Sequence, residues 1–132
     1  MKNWKIIKRI CANGEYRAAI VDECGRFVIA TEQYRKKSGL AKGILSIRHN
    51  SQNPDAYVRK TTKDGRFYFN MKSVGNHRII AGASRICKTE DERDQLMSAM
   101  FANLHNADEK TKIGFFSLTF DQKYGIIKKE EE

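Results

Sequence analysis

The residues of this chain best suited by type to do chemistry are His49, His77 and His105, Cys11, Cys24 and Cys87, and the acidic run Glu90-Asp91-Glu92. The histidines stand apart from one another and from any HExxH. They fall near expected helix ends or in a turn, where an imidazole serves the last carbonyls or meets solvent. The cysteines form no CxxC pair, and an odd number does not suit a disulfide framework, so they read as reduced thiols filling apolar space or lying at the surface. The acids follow Thr89, and Thr89-Glu90-Asp91-Glu92 is a capping box whose charges suit the positive end of a helix dipole. There is neither a glycine-rich phosphate loop nor a GxSxG elbow. The sequence therefore predicts no catalytic residues, no metal site and no cofactor: a chain that is not an enzyme.

Its basic residues point to a different chemistry. Arg35-Lys36-Lys37-Ser38-Gly39 opens an expected helix, which would bring first-turn N–H groups beside three positive charges, an arrangement suited to phosphate oxygens. In the strand Phe67–Lys72, alternation that turns Phe67, Phe69 and Met71 toward the helices turns Arg66, Tyr68, Asn70 and Lys72 the other way. With Arg17 at the matching place earlier in the chain, that face could stack and neutralise single-stranded nucleic acid. The candidate anion or nucleic-acid site is thus Arg17, Arg35, Lys36, Lys37, Arg66, Tyr68 and Lys72. A solvated basic surface explains the same residues, and an acidic protein surface or a second copy of the chain could cover the same face.

These side chains have to be carried by a small set of elements. Asn13-Gly14-Glu15-Tyr16 and Asp64-Gly65-Arg66-Phe67 superpose, each a two-residue hairpin signal followed by strand residues. Strands are expected at Trp4–Ile10 and Tyr57–Thr61 before the turns, and at Tyr16–Val21 and Phe67–Lys72 after them. Third strands follow at Phe27–Ala30 and Arg78–Ala81. A helix over Ser38–His49, with Ser38 as N-cap, aligns Leu40, Ala41, Ile44 and Ile47. The capping box starts a second helix whose stripe is Leu96, Met97, Met100, Phe101 and Leu104. Phe116, Leu118 and Phe120 then alternate as another strand, with Tyr124–Ile127 as a short return.

The 132 residues, 40% hydrophobic and 31% charged, suit one folded domain. It divides into a first repeat at 1–54, a second at 55–110, a C-terminal strand or hairpin at 111–127 and a frayed tail at 128–132. Neither a signal peptide nor a run of about 20 apolar residues is present, so a soluble, cytoplasmic protein without membrane contact is expected. The net charge of +9 is unevenly spread: residues 1–66 hold 15 Lys and Arg against 6 Asp and Glu, while residues 67–132 hold 10 against 10. Such asymmetry can mark an anionic partner.

The order strand, strand, strand, helix, occurring twice, resembles the YegP-like family of small tandem-repeat proteins. So do Trp4, Lys42-Gly43-Ile44-Leu45-Ser46-Ile47-Arg48 and above all Asp64-Gly65-Arg66-Phe67-Tyr68-Phe69-Asn70-Met71-Lys72. The resemblance spans roughly residues 4–104. It implies an α+β fold of paired units, each of three strands, a helix and a closing strand, joined in one antiparallel sheet; the single apolar stripe of each helix puts both helices on one face of it. It implies no active-site residues, since the family has no established catalytic activity. Two departures are that Ile86 stands near the place filled by Tyr34 in the first repeat, and that Ile113–Ile127 is longer than the family needs. The resulting reading is a non-enzymatic binding module, with nucleic acid taken up by the basic first repeat. The alternative is a protein-interaction or inhibitor module that docks through its sheet face or C-terminal hairpin.

Overall fold

The computed structural model of the protein describes residues 3–112. The strand expected at Phe116–Phe120, the return at Tyr124–Ile127 and the tail at 128–132 lie outside them. Among the described residues the elements run β1 (Lys5–Ile10), β2 (Tyr16–Val21), β3 (Phe27–Thr31), α1 (Lys37–Asn50), β4 (Tyr57–Thr61), β5 (Phe67–Lys72), β6 (Ile79–Gly82), α2 (Glu90–Asn103) and β7 (Asp108–Lys112). The seven strands form one sheet in the order β4-β5-β6-β3-β2-β1-β7.

The chain is α+β, as expected, but its sheet is mixed and not antiparallel: β7 runs parallel to β1, with Lys5 opposite Asp108 and Arg9 opposite Lys112. The chain comes to β7 from α2 and a short 3-10 turn at Leu104–Asn106, and it enters alongside the beginning of β1. The Asp108 amide donates to Trp4 O at 2.9 Å. A closing strand after the helix is what the resemblance implies, but its place could not be read locally, because Asp-Glu-Lys-Thr-Lys has no apolar alternation.

Gly14 and Gly65 take positive φ, as the Asn-Gly and Asp-Gly signals require. The connections are longer than two residues, however. Ile10 pairs with Tyr16 and Thr61 with Phe67, and the loops close through Cys11 N–H to Glu15 O and Thr62 N–H to Arg66 O. Between β2 and β3, the buried Asp22 carboxylate accepts from the amides of Cys24 (2.9 Å) and Arg26 (3.0 Å) and from the Arg85 guanidinium (3.2 Å). Burial alone would raise its pKa, but these bonds outweigh that and hold it below the ordinary carboxylate value.

Buried residues of both helices, Leu40, Ile44 and Ile47 from α1 and Leu96, Met97 and Met100 from α2, belong to one cluster with Ile6, Ile20, Phe69 and Met71. Both helices therefore cover the same side of the sheet. Val28 and Ile29 enter this core together because the β2–β3 register slips at Ile20/Val21. Two members of the expected stripes are not buried: Ala41 is exposed, and Phe101, one turn beyond Met97, is 39% exposed. α2 starts as anticipated, with Glu92 N–H donating to Thr89 Oγ1 at 3.1 Å. α1 starts differently: Lys36 is its N-cap, extended and without a side-chain cap, and Ser38 already lies inside the helix.

Candidate binding site

The start of α1 is held in place by Tyr34. Its backbone exchanges two hydrogen bonds with Tyr16, at 2.7 and 2.8 Å. Its ring lies against Gly39 and Gly43, where any larger residue would meet it. In the second half the same bridge joins Phe67 to Cys87, so Cys87, and not Ile86, occupies the corresponding position.

Arg35, Lys36 and Lys37 follow Tyr34 directly, and all three are exposed. The first turn of α1 holds no acid and no side-chain cap, whereas that of α2 holds Glu90, Asp91 and Glu92 behind a threonine cap. Among the described residues, neither these three cations nor Lys42 forms an ion pair. Lys8, Arg26, Arg48, Arg59, Arg66, Arg85 and Arg93 all do.

Lys37 also reaches a cleft of about 470 Å³ between α1 and the β1–β7 pair, shared with Lys8, Tyr16, Leu40, Leu45 and Glu109. Its wall is predominantly apolar, and Leu45 is largely exposed. Glu109 is gripped by Lys8 and Arg48, each at 3.1 Å. Burial would raise its pKa, but these two cations pull it below the usual range. Arg48 also donates to the carbonyls of Leu104, His105 and Ala107, tying α1 to the approach to β7. Lys8 and Glu109 were not among the sequence candidates. Only the long-range parallel pairing brings them together, and no local pattern signals it.

The other candidates lie elsewhere. On β2, Arg17 alternates with Tyr16 and Ala18, so it faces away from α1; it is half-buried, and its Nε donates to Thr31 O at 2.8 Å. Tyr68 and Lys72 share that outward side of the sheet on β5, both half-buried. Arg66 is in the β4–β5 turn, exposed and paired with Asp64 at 3.0 Å. The candidates thus divide into a group at the helix start (Arg35, Lys36, Lys37), a group on the outer sheet face (Arg17, Tyr68, Lys72) and a turn residue already neutralised (Arg66). Among the described residues no three His, Cys, Asp or Glu side chains stand together as metal ligands. Among the described residues no helix is long and apolar enough to cross a membrane. Cys11 and Cys87 are buried and Cys24 is exposed.

No family model matches the chain. It is 33% identical over 103 residues to the UPF0339 protein YegP of Escherichia coli strain K12, an alignment that covers 78% of this chain and 91% of that one. To the UPF0339 protein in the ptx operon 5′ region of Stutzerimonas stutzeri it is 34% identical over 82 residues, 62% of this chain and 72% of the relative. The solution structure of E. coli yegP, described as a protein of unknown function, superposes with a TM-score of 0.77 at 28% identity and covers 87% of this chain and 97% of that one. The solution structure of a Shewanella oneidensis UPF0339 protein gives 0.76 at 24% identity, over 84% and 92% of the two chains, a likeness of fold.

Proposed function

Because the chain belongs to the UPF0339, or YegP-like, family, whose solved E. coli member is described as a protein of unknown function, we propose from its own residues that it is a non-enzymatic binding module of the cytoplasm, engaging nucleic acid through the basic start of α1. One observation carries this reading. Arg35, Lys36, Lys37 and Lys42 are exposed and form no ion pair among the described residues, beside a helix start with no side-chain cap, while Arg59, Arg66, Arg85 and Arg93 of the second half are spent on internal ion pairs. Phosphate oxygens would take the place of the missing cap, accepting from first-turn amides while the lysines release counterions from the strand.

The two halves are copies of one unit in this reading. In each, a hydroxyl is inserted beside the strand ladder: Ala18 N–H donates to Thr31 Oγ1 (3.1 Å) and Phe69 N–H to Ser84 Oγ (2.8 Å). In each, an asparagine closes the helix end, Asn50 onto Ser46 O and Asn103 onto Ala99 O, both at 2.8 Å. On such a duplicated frame, opposite charge at the two helix starts distinguishes one binding end from one inert end.

The test is fluorescence polarisation of a labelled single strand and a labelled duplex across a salt series. Three phosphate contacts give a log–log salt slope of about −2 on a single strand. Lys36→Glu with Lys37→Glu should abolish binding near 100 mM salt while circular dichroism stays unchanged. Absence of binding by the unmodified protein at that salt ends the nucleic-acid reading. A second reading, a protein-interaction module, is favoured by exposed Leu45 in the apolar cleft; it predicts binding that is indifferent to salt and lost in Leu45→Asp.

A further inference from the structure

The strands β1 and β4 hold matching places in the two halves, but their outer edges are used differently. Along β1 lies β7, whose Glu109 is held by Lys8 and Arg48 at 3.1 Å each. β4 ends the strand order on the other side and, among the described residues, pairs only with β5. Phe67 exchanges both of its backbone hydrogen bonds with Cys87. Phe69 spends its own on Ser84, donating to Oγ and accepting from the amide. Neither residue therefore bonds back to β4, so Arg59 and Thr61, which stand opposite them, turn their N–H and C=O groups outward to the open edge. Beside this edge runs a cleft of about 300 Å³, bordered by Tyr57 and Arg59 of β4 and by Asp94, Met97 and the exposed ring of Phe101 on α2.

We infer that the open edge of β4 is a binding site for an extended acidic segment of a partner protein, which adds to the sheet as a further strand. The first half supplies the pattern. On the duplicated frame proposed above, Lys8 opposite Ala18 corresponds to Arg59 opposite Phe69, because Ala18 and Phe69 are the residues whose amides bond to the Thr31 and Ser84 hydroxyls. Arg48, two residues before Asn50, likewise corresponds to Phe101, two before Asn103. The place that β7 fills beside β1 thus stands open beside β4, with one cation kept and an aromatic ring in place of the other. Glu109 shows what the kept cation takes, a carboxylate from the added strand. Arg59 gives its Nε to Asp94 at 3.1 Å, which leaves the two terminal nitrogens of its guanidinium for a second carboxylate. Lys60 is exposed, and β4 carries these two cations and no acid. Main-chain bonds to Arg59 and Thr61 hold the segment, its acids select it, and an apolar residue within it covers Phe101. A second copy pairing β4 with β4 would set like charges opposite one another at Arg59, which disfavours that occupant. The site lies at the far edge of the sheet from β1 and the start of α1, and asks nothing of nucleic acid.

Amide hydrogen exchange on the full-length protein, followed residue by residue by nuclear magnetic resonance, tests the site. In the free protein the Arg59 and Thr61 amides should exchange at least about 100-fold faster than those of Val58 and Lys60, which bond to β5. A blocked octapeptide alternating glutamate with valine, at about 1 mM, should slow Arg59 and Thr61 by at least about threefold, a Kd of about 0.5 mM or tighter, and leave β7 unchanged. The same peptide with lysine for glutamate, and the glutamate peptide fully N-methylated, should do neither. In Arg59→Glu with Lys60→Glu the preference should reverse, the lysine peptide protecting and the glutamate peptide not. Slow exchange of Arg59 and Thr61 in the free protein at every concentration means that the edge is already paired within the chain, and overturns the inference. Slow exchange that is lost on dilution assigns the edge to a second copy and overturns it too. Protection below threefold, or equal protection by the lysine or the methylated peptide, likewise overturns it. Should circular dichroism show the double variant unfolded, the three peptides on the unmodified protein decide by the same contrasts.

Discussion

Gly43 is glycine because of the ring above it. A Cβ at this position would lie 2.4 Å from Tyr34 Oη and 2.6 Å from its Cζ, and the Tyr34 backbone is pinned to Tyr16 on both sides of the bridge. An alanine in mid-helix ordinarily stabilises by about 0.5–1 kcal/mol over glycine. Here the clash should win, and Gly43→Ala should cost about 1–3 kcal/mol in urea unfolding. In a Tyr34→Ala background the same substitution should stabilise the protein, and a failure of the sign to invert would clear the ring of responsibility. In the second half the residue at the same spacing after its bridge residue is the larger Leu96, and that bridge residue, Cys87, is small; both belong to the helix-side core.

At the scale of elements, the face assignment of β5 makes a sharp contrast. Phe69 is completely buried, Tyr68 beside it is half-buried on the other side, and Phe101 of α2 is 39% exposed. Phe69→Ala should therefore cost about 3–5 kcal/mol, with Tyr68→Ala and Phe101→Ala each well below that. Equal losses in chemical denaturation would contradict the packing. The bounds of β2, β4 and β5 could be read from the sequence because alternation and turn residues are local. The start of α1 differs because Ser38 has the chemistry of a cap, whereas the helix, with the Tyr34 ring packed on Gly39 and Gly43, has Lys36 as its N-cap, two residues earlier. Phe101 fits a helical stripe by spacing but falls beyond the edge of the sheet core. As for the candidate site, composition points to the charges at Arg35–Lys37, while the cleft that Lys37 borders depends on β1 meeting β7 and leaves no mark in either segment. Charge alone also could not separate Arg66, already held by Asp64, from Lys36 and Lys37, which have no such neighbour.

Taken whole, the molecule has one helix-side core to which both halves contribute, Trp4, Ile20 and Ile44 together with Phe69, Met71 and Met100. The strand seam between the halves is narrow, two residue pairs of β3 and β6 with Arg85 N–H reaching Val28 O at 2.8 Å. A shared core joined by a narrow seam predicts a single cooperative transition: fluorescence of the lone tryptophan, Trp4, should trace the same urea curve as far-ultraviolet circular dichroism. A second step seen only by dichroism would mean that the halves unfold separately. The parallel β1–β7 pair joins nearly opposite ends of the chain, and so acts in time as well as in space. During synthesis β1 leaves the ribosome long before β7 exists, and until then its outer edge presents Ile6 and Ile7 beside unpaired backbone. Lys5, Lys8 and Arg9, threaded through that strand, discourage neighbouring nascent chains from adding to it. Lys8 then changes role: the charge that guarded the open edge becomes the grip on Glu109 when β7 arrives.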